Sequence, residues 1–224
     1  MEPSITDTQE APSTLLLWRD SCHQPRFVGE VLLTVTMLAL SVYICREVML
    51  YAHTRPGVVL DDPIQRMVGP VNLRWPVFLI LWSSLVMGVC SLAKTPDRLL
   101  MWLQAAALLT LFRALALYLL PLAAPPTIIP LADPIATLRT GAGDLITNDL
   151  FFSGHTAVLF LLFLAVGNTR LRWFCFVGFV FVGIAVVIQH VHYSGDVFAA
   201  PFFAYGSYQM VMLAHNQMKE IFSY

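Results

Sequence analysis

Six long apolar stretches separated by more polar connections dominate the sequence, at residues 27–52, 75–93, 99–122, 150–167, 173–189 and 197–213. Each has roughly 17 to 25 residues, enough to cross a hydrocarbon core of about 30 Å at 1.5 Å per residue. The connections show no alternating strand pattern, and helices satisfy their own backbone hydrogen bonds in lipid. The pattern therefore predicts an all-α integral membrane protein, a bundle of six transmembrane helices.

The connections predict how the chain crosses the membrane. Two long connections, 53–74 and 121–148, alternate with short ones, and basic residues flank the short connections and the first stretch: Arg19, Arg26, Lys94, Arg98, Arg170 and Arg172. Positive charge near short loops favours the cytoplasmic side. We expect a cytoplasmic tail of residues 1–26, a six-helix membrane domain of residues 27–215 and a short cytoplasmic tail of residues 216–224.

Composition narrows the class of protein further. The chain has 224 residues, of which 58% are hydrophobic and 12% charged, whereas soluble domains carry about 25% charged residues. The formal net charge of −1, with no long basic run, argues against a nucleic-acid partner. The four cysteines are scattered without a C-x-x-C spacing, so neither a thiolate metal site nor a redox pair is indicated.

Three ionisable residues stand at the ends of apolar stretches: His155 near the start of the fourth, and His192 and Asp196 between the fifth and sixth. Such residues are rare at membrane depth and usually functional. Because two crossings separate these ends, we expect all three side chains at one membrane face. The charge bias makes this the exoplasmic face, in a bacterial inner membrane or in a eukaryotic Golgi or plasma membrane.

The spacing of His192 and Asp196 would place them on one face of a helix. A carboxylate that holds one imidazole nitrogen leaves the other as a nucleophile toward phosphorus. Asp196 could instead cap the last helix, and both roles are compatible. His155 follows Ser153 and Gly154, a hydroxyl donor and a position of close backbone approach, and could act as general acid and base. Taken alone, a histidine in such a position is more often structural than catalytic, and its pairing with His192 and Asp196 at one face favours catalysis.

Arg113 lies within the third apolar stretch, where its guanidinium needs an anionic partner such as a lipid phosphate. Pairing with Asp149, or snorkelling to the interface, is the alternative.

The spacing of His190 and His192 suggests a metal site as a further possibility. However, residues two apart on a helix point in different directions, and no carboxylate cluster completes such a site. We therefore expect neither a metal nor a cofactor. The proline- and glycine-rich segment 121–148 is interpreted as a lid or wall over the site, or as a plain connector.

Two short motifs contain the histidines, Phe152-Ser153-Gly154-His155-Thr156 and His190-x-His192-Tyr193-x-x-Asp196. They resemble the motifs of sphingomyelin synthases, a branch of the type 2 phosphatidic acid phosphatase superfamily of lipid phosphatases and phosphotransferases. Asp149 is similar to the aspartate before the first motif, and Leu60-Asp61-Asp62-Pro63 is loosely similar to a motif after the family's first helix. Val186 stands where the phosphatase branch has an arginine, which favours the synthase branch.

The resemblance implies a metal-free double displacement through a phosphohistidine, with a phospholipid head group passing to ceramide or diacylglycerol. His192 would be the nucleophile, supported by Asp196, and His155 would protonate the leaving group. A phosphatase using water is the alternative, and a non-catalytic lipid binder and a transporter are weaker ones. We expect membrane lipids as partners and leave a homo-oligomer open. The expected substrate-binding residues are Arg113, Asp149, Ser153, Gly154 and Tyr193.

Overall fold

The computed structural model describes residues 13–131 and 149–222, which contain eight helices and no extended sheet. Three connections among these helices include non-helical backbone that bears on the site: residues 55–73, 120–131 and 189–193. The helices are α1 Thr14–Cys22, α2 Pro25–Thr54, α3 Pro63–Met67, α4 Arg74–Leu92, α5 Pro96–Leu119, α6 Gly154–Ala165, α7 Thr169–Ile188 and α8 Ser194–Phe222.

Five of these helices, α2, α4, α5, α7 and α8, are long and apolar enough to cross a membrane. This confirms the all-α fold class and a multi-pass membrane protein. The sixth apolar helix, α6, has only 12 residues, about 18 Å at 1.5 Å per residue. The prediction of a full-length membrane helix over residues 150–167 was therefore wrong in its bounds. Residues 150–153 are a non-helical segment before the helix, which the apolar pattern does not reveal.

Other boundaries also differ from the prediction. The last helix starts at Ser194 and continues to Phe222, beyond the expected end at residue 213. The predicted N-terminal tail contains α1, and Trp18 of this helix donates from Nε1 to the Ala93 carbonyl at 2.7 Å. The first long connection contains α3, capped by Asp62. The segment 132–148 of the predicted lid lies outside the described residues.

Helix α6 lies at the centre of the bundle and packs against α4, α5, α7 and α8. Its side chains Ala157, Leu159, Leu161 and Leu162 are fully buried. Lipid tails are as apolar as leucine, so close packing, rather than a hydrophobic force, holds membrane helices together. Gly183 of α7 shows how close this packing is, because a Cβ there would lie 2.9 Å from Val197 of α8 and 3.2 Å from Thr156 of α6.

The two long connections pack on each other above α7. Val58 donates to the Pro121 carbonyl at 2.7 Å and accepts from Ala123 at 3.0 Å, which forms a short parallel bridge. The N–H of Ile129 donates to the Gln189 carbonyl at 3.1 Å, and the Gln189 side chain returns a bond to the Ile129 carbonyl at 2.8 Å. Residues 55–73 and 120–131 thus form a braced layer over the end of α7.

Candidate active site

Helix α7 ends in a hydrogen-bonded turn that sets the course of the following residues. The N–H groups of His190 and Val191 donate to the carbonyls of Val187 and Val186 at 3.0 and 2.9 Å, the pattern of a Schellman motif. His190 has the left-handed φ of 59° that this motif requires at its first residue after the cap. Its imidazole is held by Thr127 at 2.5 Å and by the Val68 carbonyl at 3.0 Å. His190 therefore has a structural position that the His-x-His spacing did not predict.

Asp196 contacts both His192 and the start of α8. Its Oδ2 lies 3.3 Å from His192 Nδ1 and accepts the Tyr193 N–H at 3.1 Å. The second contact matches the returning half of a capping box, in which the third helical residue binds the N–H of the capping position. His192 precedes the helix rather than lying on it, so the turn at Tyr193 brings the pair together. Both side chains are almost fully buried.

The start of α6 lies directly against this pair. Ser153 caps the helix by accepting the Thr156 N–H at 3.5 Å, and its own N–H donates to the Asp196 carbonyl at 3.2 Å. His155 is the second residue of α6, although it is the sixth residue of the apolar stretch 150–167, and its ring lies 6.4 Å from that of Phe78. The Ser153–Asp196 bond joins the two sequence motifs at one end of the bundle, as the topology predicted.

Arg113 of α5 lies on the third side of the site. Its Nη2 is 2.8 Å from Asp149 Oδ1, and Nη1 donates to the Phe152 carbonyl. The pairing with Asp149, which was the alternative to a lipid phosphate, is present. Arg113 also reaches the residue before His155, since a Cβ on Gly154 would lie only 3.0 Å from Arg113 Nη1. The close approach that Gly154 permits is thus to the guanidinium. Any phosphate bound by Arg113 would lie over the start of α6.

The electrostatics favour a neutral His192. Burial lowers the pKa of His192 below the ordinary 6.5, although the hydrogen bond and charge of Asp196 oppose this effect. The charges of Arg113 and His155 lower it further. A neutral imidazole has a free lone pair, as a nucleophile needs. Burial raises the pKa of Asp149, but the charge and hydrogen bond of Arg113, together with the charges of His192 and His155, lower it by more, so the net pKa is lowered and the pair is ionised.

A group of residues that we had not predicted as functional holds the His192 segment from outside. Asp62 Oδ2 accepts the Ser194 N–H at 2.6 Å, while Oδ1 accepts from Ile64 at 2.9 Å. Gln65 Nε2 donates to the His192 carbonyl at 3.0 Å. Burial raises the pKa of Asp62, yet the hydrogen bonds from Ser194 and Ile64 outweigh it and lower the pKa. The faint likeness at residues 60–63 was the one available signal.

Tyr193 has a bracing position in the same layer. It is 2% exposed, and its hydroxyl donates to the Ala123 carbonyl at 2.8 Å and accepts the Leu60 N–H at 3.1 Å. Burial raises its pKa. Substrate contact by Tyr193 stays a prediction. Within residues 13–131 and 149–222, no group of three or more His, Cys, Asp or Glu side chains is placed to hold a metal ion.

Residues 147–215 match the family model described as PAP2 superfamily C-terminal. Comparison with curated proteins and with solved structures found no match. The matched segment carries both histidine motifs and supports the type 2 phosphatidic acid phosphatase superfamily, whereas the sphingomyelin synthase branch stays a prediction. Arg113 and Asp62 lie outside the matched segment, and only the folded bundle brings them to it.

Proposed function

We propose that this PAP2-like membrane protein is a phospholipid head-group phosphotransferase acting through a phosphohistidine. The observation that carries the proposal is Asp196, whose side chain lies 3.3 Å from His192 while its carbonyl accepts the Ser153 N–H beside His155. Arg113 adds an ion-paired cation over the same helix start. A nucleophile, its supporting carboxylate, a candidate acid and an anion-binding group thus meet at one end of the bundle.

In the first step, His192 Nε2 attacks the phosphorus of a phospholipid such as phosphatidylcholine. The Nε2–P bond forms as the bond from phosphorus to the diacylglycerol oxygen breaks. His155 gives its proton to that oxygen, releasing diacylglycerol. Asp196 accepts the Nδ1–H of His192 and stabilises the positive imidazole ring. Arg113, together with the N–H groups at the start of α6, stabilises charge on the phosphoryl oxygens.

In the second step, a lipid alcohol such as ceramide or diacylglycerol takes the head group. The now neutral His155 removes the hydroxyl proton, and the oxygen attacks phosphorus as the Nε2–P bond breaks. Both histidines return to their starting states, so the cycle needs no cofactor and no metal. Val186, at the position where the phosphatase branch has an arginine, supports transfer over hydrolysis.

A lipid phosphate phosphatase is the second candidate. The matched superfamily segment contains every residue of the proposed catalytic set, and these groups would act on water as they act on an alcohol. In that reaction His155 activates water, and phosphate leaves His192.

We place the site on the exoplasmic face of the membrane, with the segment 27–215 as the catalytic domain and membrane lipids as its partners. The proposal holds for a monomer and for a homo-oligomer alike.

The deciding experiment supplies purified protein in lipid nanodiscs with labelled phosphatidylcholine, phosphatidylethanolamine or phosphatidic acid, each with and without ceramide or diacylglycerol. Transfer predicts a labelled product lipid that depends on the acceptor. Release of free head group or phosphate at the same rate without any acceptor would instead identify a hydrolase. Acid-labile label retained on wild-type protein but lost in His192→Ala would locate the intermediate on His192, and absence of both activities would refute the proposal.

A further inference from the structure

A second polar cluster lies where α2, α5 and α8 meet, away from the catalytic motifs. Gln104 Nε2 donates to Thr34 Oγ1 at 2.9 Å, and Gln104 Oε1 lies 2.8 Å from His215 Nε2. Thr34 in turn donates to the Glu30 carbonyl at 2.7 Å. His215 thus has a side-chain partner on another helix. Polar side chains in membrane helices are costly, and they commonly mark functional sites.

This cluster is separate from the proposed active site. His215 follows Asp196 by 19 positions on α8, which is about 28 Å along a helix. Gln104 precedes Arg113 by nine positions on α5, about 14 Å toward the opposite membrane face. A lipid whose head binds near His215 therefore cannot place that head against His192.

A cavity of about 290 Å³ opens beside the cluster. Most of its wall is aliphatic or thioether side chain, and three polar residues lie on the remaining wall. The bundle thus has a pocket with an apolar body and a polar end within its membrane-spanning part. The apolar residues are Leu33, Met37, Leu108, Val211, Ala214 and Met218, and the polar ones are Glu30, Gln104 and His215.

The polar end accepts hydrogen bonds. If His215 donates from Nε2 to Gln104, its neutral ring has Nδ1 as an acceptor. Glu30 binds Arg26 through Oε1 at 3.0 Å, which neutralises its charge and leaves further acceptor capacity on the carboxylate. A partner that fits must therefore carry a hydroxyl donor, little net charge and an apolar chain.

We propose that this cavity binds the hydroxyl-bearing head of a neutral membrane lipid of the diacylglycerol type. The lipid hydroxyl donates to His215 or Glu30, and its chains lie along the apolar wall. The site belongs to the membrane half opposite the catalytic motifs. It is therefore distinct from any site that the proposed transfer reaction requires.

The test uses photoactivatable diacylglycerol, with a diazirine on one acyl chain, and the full-length protein in nanodiscs. Labelled peptides are mapped by mass spectrometry, which separates this cavity from the active site without any need for turnover. We expect label on peptides containing residues 33–37 and 211–218. Unlabelled dioctanoylglycerol should compete, and its 3-O-methyl ether should need roughly three to ten times the concentration, the effect of one hydrogen bond.

His215→Phe should reduce labelling of these peptides by a similar factor, and His53→Phe, a change at an exposed histidine, should not. Thermal unfolding of both variants checks that the bundle is intact. Because the methyl ether is tested on wild-type protein, the outcome does not depend on the variant folding. Equal competition by the alcohol and its ether, or label absent from both segments, would overturn the proposal.

Discussion

The two ends of the bundle are built differently. At the end where α6 and α8 begin, residues 55–73 and 120–131 and the 189–193 turn bind one another through main-chain and side-chain hydrogen bonds. At the other end, α4 and α5 are joined by a tight turn, and Trp18 binds the carbonyl of Ala93. Irregular backbone near lipid must have its polar groups satisfied. The long connections supply these partners, and the end that they brace is the one with the candidate chemistry.

The largest effect should come from His192→Ala at the braced end. Removing the proposed nucleophile should lower turnover by at least about 10⁴-fold, because no other group can form the covalent intermediate. The measurement is the initial rate of labelled head-group transfer. His23→Ala, at an exposed position near the opposite end, is the control and should keep the wild-type rate. Substantial transfer by His192→Ala would remove His192 from the nucleophile role.

Asp196→Asn should lower kcat/KM by roughly 10³- to 10⁴-fold, since loss of the orienting carboxylate in serine protease triads costs about 10⁴-fold. It should also move the acidic limb of the pH profile. In the wild type, burial places the His192 pKa below 6.5, so activity is lost only as pH falls beneath that value. Because Asp196 raises this pKa, its removal should shift the limb to still lower pH.

Asp97→Asn is the matched control for Asp196→Asn, since Asp97 also lies in the first turn of a membrane helix, at the opposite end. We expect its pH profile to follow that of the wild type. An acidic limb that stays in place in Asp196→Asn would show that His192 is not the group whose protonation stops the reaction.

Gly154→Ala should reduce turnover by about tenfold. A Cβ there would lie 3.0 Å from Arg113 Nη1, so the guanidinium must shift away from the start of α6, and misplaced charge stabilises the transition state less. Gly195→Ala is the control, because a Cβ at Gly195 meets no atom within 4 Å. Initial rates with saturating phosphatidylcholine compare the two. Equal rates would indicate that the position of Arg113 is not critical.

Asp62→Ala should destabilise the protein by about 2 kcal/mol, since partly buried N–H groups of α3 and of Ser194 lose a charged acceptor. The pKa of Asp62 is lowered in the fold, so its contribution is present above pH 3.8 and is lost as pH falls through the lower folded-state value. Denaturant unfolding in detergent measures the change. Asp61→Ala, at a side chain 71% exposed, should have little effect, and equal losses would contradict the bracing role.

The smallest effect should come from His190→Asn. Asparagine tolerates the left-handed backbone, so the turn is kept, while loss of the bonds to Thr127 and Val68 should cost about 1 kcal/mol. Turnover should stay within about threefold of wild type. A loss as large as that of His192→Ala would instead indicate that His190 takes part in the chemistry.

Local patterns predicted the helices well and their ends less well. Apolar runs fix which segments lie in lipid, so α2, α4, α5 and α7 lie close to their predicted bounds. The entry to α6 was missed because residues 150–153 are as apolar as the helix that follows, and the carbonyl of Phe152 is satisfied by Arg113 from another helix. The sequence around residues 150–153 gives no sign of this hydrogen-bond donor, because it lies on a distant part of the chain.

The sequence by itself determined that this is a helical membrane protein, with His155, His192 and Asp196 at helix ends that two crossings bring to one face. Hydropathy and chain length suffice for this conclusion, because lipid leaves the backbone few alternatives. Only the tertiary structure decided that Arg113 lies over Gly154, that Asp62 and Gln65 hold the His192 turn, and that Gln104 joins His215. These contacts join residues 41 to 132 positions apart, and distant partners are selected by packing and hydrogen-bond satisfaction rather than by any neighbouring sequence pattern.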